Sequence, residues 1–174
     1  KARAAGKFKV AADVLYTGEN NVFTGYETLV EPEAKVLALY KGGVQVEEGA
    51  AGDDMIVVLD KTPFYAEMGG QMGDAGVLEN ASTLLAVSET YRIKESVFGH
   101  VAHVKEGAVH VGDVFKAEVN AETRVAVARN HSATHLMHKA LREVLGAHFA
   151  QKGSLVTDKV TRFDFLHDKP LTAE

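Results

Sequence analysis

The chain changes its period near Asn120, and that change constrains the fold more than any other feature of the sequence. From Lys7 to about Val119 it consists of short β-rich runs punctuated by glycine. From Ala121 to about Phe149 no glycine intervenes until Gly146, and the spacing becomes helical. Past Gly153 the strand period returns.

Within the first part, Ala34–Tyr40, a Lys41-Gly42-Gly43 turn and Val44–Val46 predict a hairpin, with the glycines supplying positive φ. Met55–Leu59, bounded by Asp54 and Asp60, predicts a buried strand. Leu84–Ser88, Val101–Val104 and Val114–Val119 continue the series. Several short strands separated by turn signals favour a small antiparallel barrel or sandwich. In the last part, Ser154–Val156, a turn over Thr157–Lys159 and the alternating run Val160–Phe165 predict a second hairpin. Arg162 and Asp164 should share a face opposite Thr161, Phe163 and Phe165. A helix followed by a hairpin opens an α+β unit. The expected division is a linker or helix end over 1–6, a β-barrel domain over 7–119, and the start of an α+β core over 120–174.

Composition adds limits. A net charge of −5 gives no globally basic footprint, although RNA binding needs only a local positive field. No apolar run approaches the ~20 residues of a membrane-spanning helix. Cysteine is absent, which excludes disulfides and thiolate ligands from this chain. A cytosolic setting fits. The chain opens on Lys1 rather than methionine and reads as a piece cut from a longer protein.

Two stretches carry chemistry. Asn130–His138 places His131 and His135 one turn apart on one helix face, a spacing at which two imidazoles can reach one metal ion. A zinc peptidase helix would carry a glutamate after the first histidine, but Ser132 stands there, so that reading loses its base. The alternative is a solvated face of Arg124, His131, His135, His138 and Arg142, opposite an apolar face of Ala133, Met137, Ala140, Leu141 and Val144. The Asn130-His131-Ser132 segment is poor in helix formers, so a break is expected there. The second stretch, Thr62–Gly76, holds Gly69, Gly70, Gly73 and Gly76. It lacks the spacing of a P-loop or dinucleotide fingerprint. A plain barrel turn with Phe64 and Tyr65 packed inside is the competing reading.

Together these stretches, with Gln151–Val156 and Arg162–Phe165, resemble the editing region of the alanyl-tRNA synthetase family, bacterial in type. They occur in that family's order across nearly the whole chain. The resemblance implies an α+β fold, a small antiparallel β-barrel followed by the first part of an editing core. It implies zinc-dependent hydrolysis of tRNA(Ala) wrongly charged with serine or glycine, at the tRNA acceptor end, in an ATP-using, cytoplasmic enzyme of protein biosynthesis. It gives no role for membrane or DNA. Carried over residue by residue, His131 and His135 match zinc ligands. Thr134, Gln151 and Ser154 match residues that shape the catalytic pocket. Gly69, Gly70 and Gln71 match a substrate-binding barrel loop facing the cleft, and His138 is left as an outer or surface residue.

The family completes its zinc site with a downstream Cys-x-x-x-His that is absent here, so the site is expected to be incomplete. His148 and His167 do not sit in a matching context. Self-association through exposed apolar surface is a further expectation. Two rival readings are a non-catalytic module that binds the tRNA acceptor end, and a peptide-release-like hydrolase that uses Gln71.

Overall fold

A computed structural model of the chain describes residues 14–172. The opening six residues, read as linker or helix end, lie outside the described residues. The strands are β1 (Val22–Phe23), β2 (Val30–Lys41), β3 (Val44–Val46), β4 (Glu48–Ala50), β5 (Asp54–Leu59), β6 (Lys61–Thr62) and β7 (Gly76–Glu79). They continue with β8 (Leu84–Lys94), β9 (Val97–Glu106), β10 (Ala108–His110) and β11 (Val114–Val119). The helix α1 (Ala121–Leu145) and the strands β12 (Ala150–Val156) and β13 (Thr161–Leu166) follow. These elements form two compact units. The first takes the chain up to Ala66 together with Gly73–Asn120; the second takes Glu67–Met72 together with the chain from Ala121 onward.

In the first unit β11 pairs with β7 on one side and with β2 on the other, which closes the strands β11, β7, β8, β9, β5 and β2 into a six-stranded antiparallel barrel. Closure leaves no open edge among those six strands. Leu39, Val57, Leu59, Phe64, Leu78, Leu85, Val104 and Phe115 fill its interior and are fully buried. The hairpin expected at Lys41-Gly42-Gly43 is present, and φ values of 59° and 83° at Gly42 and Gly43 are those of a type I′ turn. Polar side chains are buried in the interior as well, among them His100 and its partner Thr62. His100 is fully buried, its Nδ1 2.7 Å from the Val57 carbonyl and its Nε2 2.7 Å from the Thr62 hydroxyl. A carbonyl only accepts, so Nδ1 carries the proton and Nε2 accepts from Thr62.

The second unit is built on α1 and the β12–β13 hairpin. The helix runs unbroken through Asn130-His131-Ser132, contrary to the expected break. Two side chains support that segment: Asn130 Nδ2 donates to the Thr157 carbonyl at 2.8 Å, and the Thr134 hydroxyl donates back to the Asn130 carbonyl at 2.8 Å. The helix ends where Gly146 adopts φ +100° and its N–H donates to the Arg142 carbonyl, a left-handed cap.

The covered side of α1 differs from the apolar face read from the sequence. Val127 and Thr134 are buried and Asn130, His138 and Leu141 are half-buried, whereas Ala133, Ala140 and Val144 are exposed. Thr134 and Asn130 can face inward because their polar atoms are hydrogen-bonded. His138 is turned inward as well, its ring 5.6 Å from that of Phe149 and 5.4 Å from that of Phe163. Arg162 and Asp164 share a face as expected, with Nη2 to Oδ2 at 3.1 Å.

Candidate functional site

Glu67–Met72 leaves the barrel strands and joins the second unit through backbone hydrogen bonds. At its base, within the barrel unit, the Tyr65 and Asp74 main chains are tied together, and the Asp74 carboxylate accepts from the Tyr65 N–H at 2.7 Å. At its tip, the Met68 N–H donates to the Gln71 carbonyl and the Gln71 N–H to the Met68 carbonyl. Gly69 at φ 61° and Gly70 at φ 86° give the two left-handed positions that this two-residue turn requires. The turn docks on β12: Val156 N–H donates to the Gly70 carbonyl at 2.8 Å, and Met72 N–H donates to the Val156 carbonyl at 2.9 Å. A Cβ on Gly70 would collide with the Ser154 carbonyl, so close approach adds to the φ requirement at that position.

Against this turn, α1 and β12 enclose a cleft of about 130 Å³ lined by His131, Thr134, His135, Gln151, Ser154 and Gly69, with His138, Val156 and Phe163 forming the rest of its wall. A wider groove of about 480 Å³ adjoins it, sharing Gly69, Gln151 and Ser154 and adding Gly70, Lys152 and Gly153. Six of the residues singled out in the sequence thus meet in one place. Gly70 lines only the wider groove, and Gln71 contributes its backbone to a bridge with Val156.

The imidazoles of His131 and His135 face each other, Nε2 to Nε2 at 2.9 Å. Two nitrogens that close can act as neighbouring vertices of one tetrahedral ion, for which Zn–N distances of about 2.0–2.1 Å give an edge of roughly 3.3 Å. The donor set fits zinc, and it supplies half of a four-coordinate site. Thr134 is buried, and its proton is committed to the Asn130 carbonyl, which leaves hydroxyl lone pairs for the cleft. Ser154 Oγ lies 3.4 Å from the Gly69 carbonyl. Among the described residues, no aspartate or glutamate lines the cleft or the groove.

Sequence reasoning missed the inward turn of His138 onto Phe149 and Phe163. The signal was available in the i+4 spacing from Thr134 to His138, which puts both on one stripe. Also missed was a second group of ligand-type side chains, His148, His167 and Asp168, whose donor atoms lie within 4.8 Å of one another. This group could coordinate a metal ion, and it is distinct from the His131–His135 pair.

The fold and the cleft place the chain in a broad class, a β-barrel carried with a helix–hairpin unit that bears paired histidines. The family model described as "tRNA synthetases class II (A)" matches residues 1–123, ending before the histidine pair. Similarity to individual relatives extends over the whole chain. An alanine–tRNA ligase of Leptothrix cholodnii is 58% identical over 172 residues, covering 99% of this chain and 20% of the relative. One of Paraburkholderia xenovorans is 57% identical over 174 residues, with 100% and 20% coverage, and one of Burkholderia multivorans is 58% identical over 172, with 99% and 20%. The chain belongs to the class II (A) tRNA synthetase family, among the alanine–tRNA ligases. It spans about one fifth of the length of these relatives.

Proposed function

We propose that the cleft is an editing site that hydrolyses the aminoacyl ester of tRNA(Ala) wrongly charged with serine or glycine. The observation that carries this reading is the convergence of His131, His135, Thr134, Gln151, Ser154 and Gly69 on one small cavity, with no carboxylate among the described residues that line it. About 130 Å³ is well below the ~300–1,000 Å³ of sites for drug-sized ligands, and it suits a seryl or glycyl group. The adjoining groove, with Lys152 and no acidic lining, suits the anionic terminal nucleotide.

A second site of this kind answers a physical need. A pocket built for alanine rejects a smaller or hydroxylated rival only weakly, so accuracy requires later hydrolysis. In that reaction water adds to the ester carbonyl carbon, the bond to the ribose oxygen breaks, and the amino acid and free tRNA leave. His131 and His135 would hold a zinc ion, which when bound supplies Lewis-acid polarisation. Thr134 offers an acceptor to the substrate ammonium or the serine hydroxyl. Gln151 and Ser154 position the aminoacyl group from the β12 side, while Gly69, Gly70 and Gln71 shape the wall along which the acceptor end lies. The reading places the chain with translation in the cytoplasm. Among the described residues, no helix is long and apolar enough to cross a membrane.

The test is hydrolysis of Ser-tRNA(Ala) and Gly-tRNA(Ala) by this chain and by the same segment within a full-length alanine–tRNA ligase. Thr134→Val should reduce serine hydrolysis by up to about tenfold more than glycine hydrolysis, the worth of one neutral hydrogen bond. Equal effects on both substrates would remove Thr134 from serine recognition. Tight binding of the acceptor end without hydrolysis in either form would favour the non-catalytic module.

A further inference from the structure

We propose a second metal site, independent of the editing cleft, in which His148, His167 and Asp168 hold a tetrahedral divalent ion, with zinc the best fit to the donor set. The cluster lies just past the paired end of the β12–β13 hairpin. From Val156–Thr161 to Gly153–Asp164 the strands pair in one register; Lys152 is then extra, and pairing resumes shifted by one at Gln151–Phe165 and Ala150–Leu166. Beyond that last rung the pairing ends, and His148 lies in the turn closed by the Phe149 N–H on the Gly146 carbonyl, within reach of Asp168. The Gly146 turn that ends α1 leads the chain directly into His148.

The side chains then converge. His148 Nε2 lies 3.0 Å from His167 Nδ1 and 3.3 Å from Asp168 Oδ1, and His167 Nδ1 lies 3.8 Å from the same oxygen. The two rings meet nearly edge to edge through these nitrogens, with centroids 5.1 Å apart and planes 24° from parallel. At a metal–donor distance of about 2.05 Å, a tetrahedral edge is roughly 3.3 Å and an octahedral edge roughly 2.9 Å. The three observed separations centre on the tetrahedral value. A point about 2.05 Å from all three donors lies roughly 0.5 Å off their plane, close to the offset of a tetrahedral centre. Two imidazoles and one carboxylate are a zinc donor set, with water completing the fourth vertex. Asp168 is largely exposed and His148 about half exposed, which gives the ion a path in. Bound there, it clips the open end of the hairpin beside the stacked Phe149 and Phe163 rings.

The experiment uses the His131→Ala/His135→Ala chain, which lacks the editing pair and retains this cluster. Titration with cobalt(II) should give one ion per chain with a tetrahedral visible spectrum, displaced by zinc. Adding His148→Ala and His167→Ala should abolish that signal. Asp168→Asn, a milder change at an exposed position, should weaken zinc at least about tenfold with the far-ultraviolet circular dichroism unchanged. The proposal is overturned if the starting variant binds no ion, gives an octahedral spectrum, or keeps its affinity after the cluster is removed. None of these outcomes depends on hydrolysis, so the site and the editing reading stand or fall separately.

Discussion

Burial pushes the His100 imidazole down to about 4 from its ordinary value near 6.5, and the Val57 hydrogen bond only partly offsets this. The folded barrel therefore resists taking up a proton that the unfolded chain accepts. Stability from this group is fully present above pH ~6.5, falls as the pH drops through the window to ~4, and is then lost, a difference of roughly 3 kcal/mol. Urea midpoints measured across that window should decline in the native chain. His100→Gln should start less stable but lose most of the slope; an unchanged slope would assign it to other groups. The glycine turn makes a second residue-level case. Gly69→Ala meets open space and should cost about 1 kcal/mol for its left-handed φ. Gly70→Ala adds the collision with the Ser154 carbonyl and should cost at least about twice as much, read as a shift in denaturation midpoint.

For the helix, the covered stripe sets the expectation. Val127→Ala, at a buried position, should destabilise by about 1–2 kcal/mol, whereas Val144→Ala, at a position 81% exposed, should change stability by less than about 0.5 kcal/mol. Thermal denaturation of the two variants compares them directly, and equal losses would mean that the apolar face read from the sequence is the packed one. The helix and both hairpins were legible in the sequence through periodicity, the Gly42-Gly43 pair in the first hairpin and the single Gly146 that ends the helix. The sequence did not reveal which face of α1 is covered. Ala133, Ala140 and Val144 outweigh Asn130, Thr134 and His138 in hydropathy, yet the polar set packs inward because each member finds a partner in the fold. The Lys152 bulge was likewise invisible, and so was the meeting of His148 with His167, 19 positions on, beyond the paired strands.

For the whole molecule, choosing between barrel and sandwich took the extra β11–β2 pairing, a long-range contact that no local pattern encodes. The cleft was legible only by resemblance. Gly69 and Ser154 stand 85 positions apart, and nothing in their local sequence joins them. The central claim is that this cleft performs editing through its histidine pair. Its most direct test is Ser-tRNA(Ala) hydrolysis by a full-length alanine–tRNA ligase carrying this segment, with and without His131→Ala/His135→Ala, alongside alanine charging. The account predicts that hydrolysis falls at least about a hundredfold, as losing several kcal/mol of carbonyl polarisation requires, while charging persists. Hydrolysis at the native rate in the double variant would contradict it.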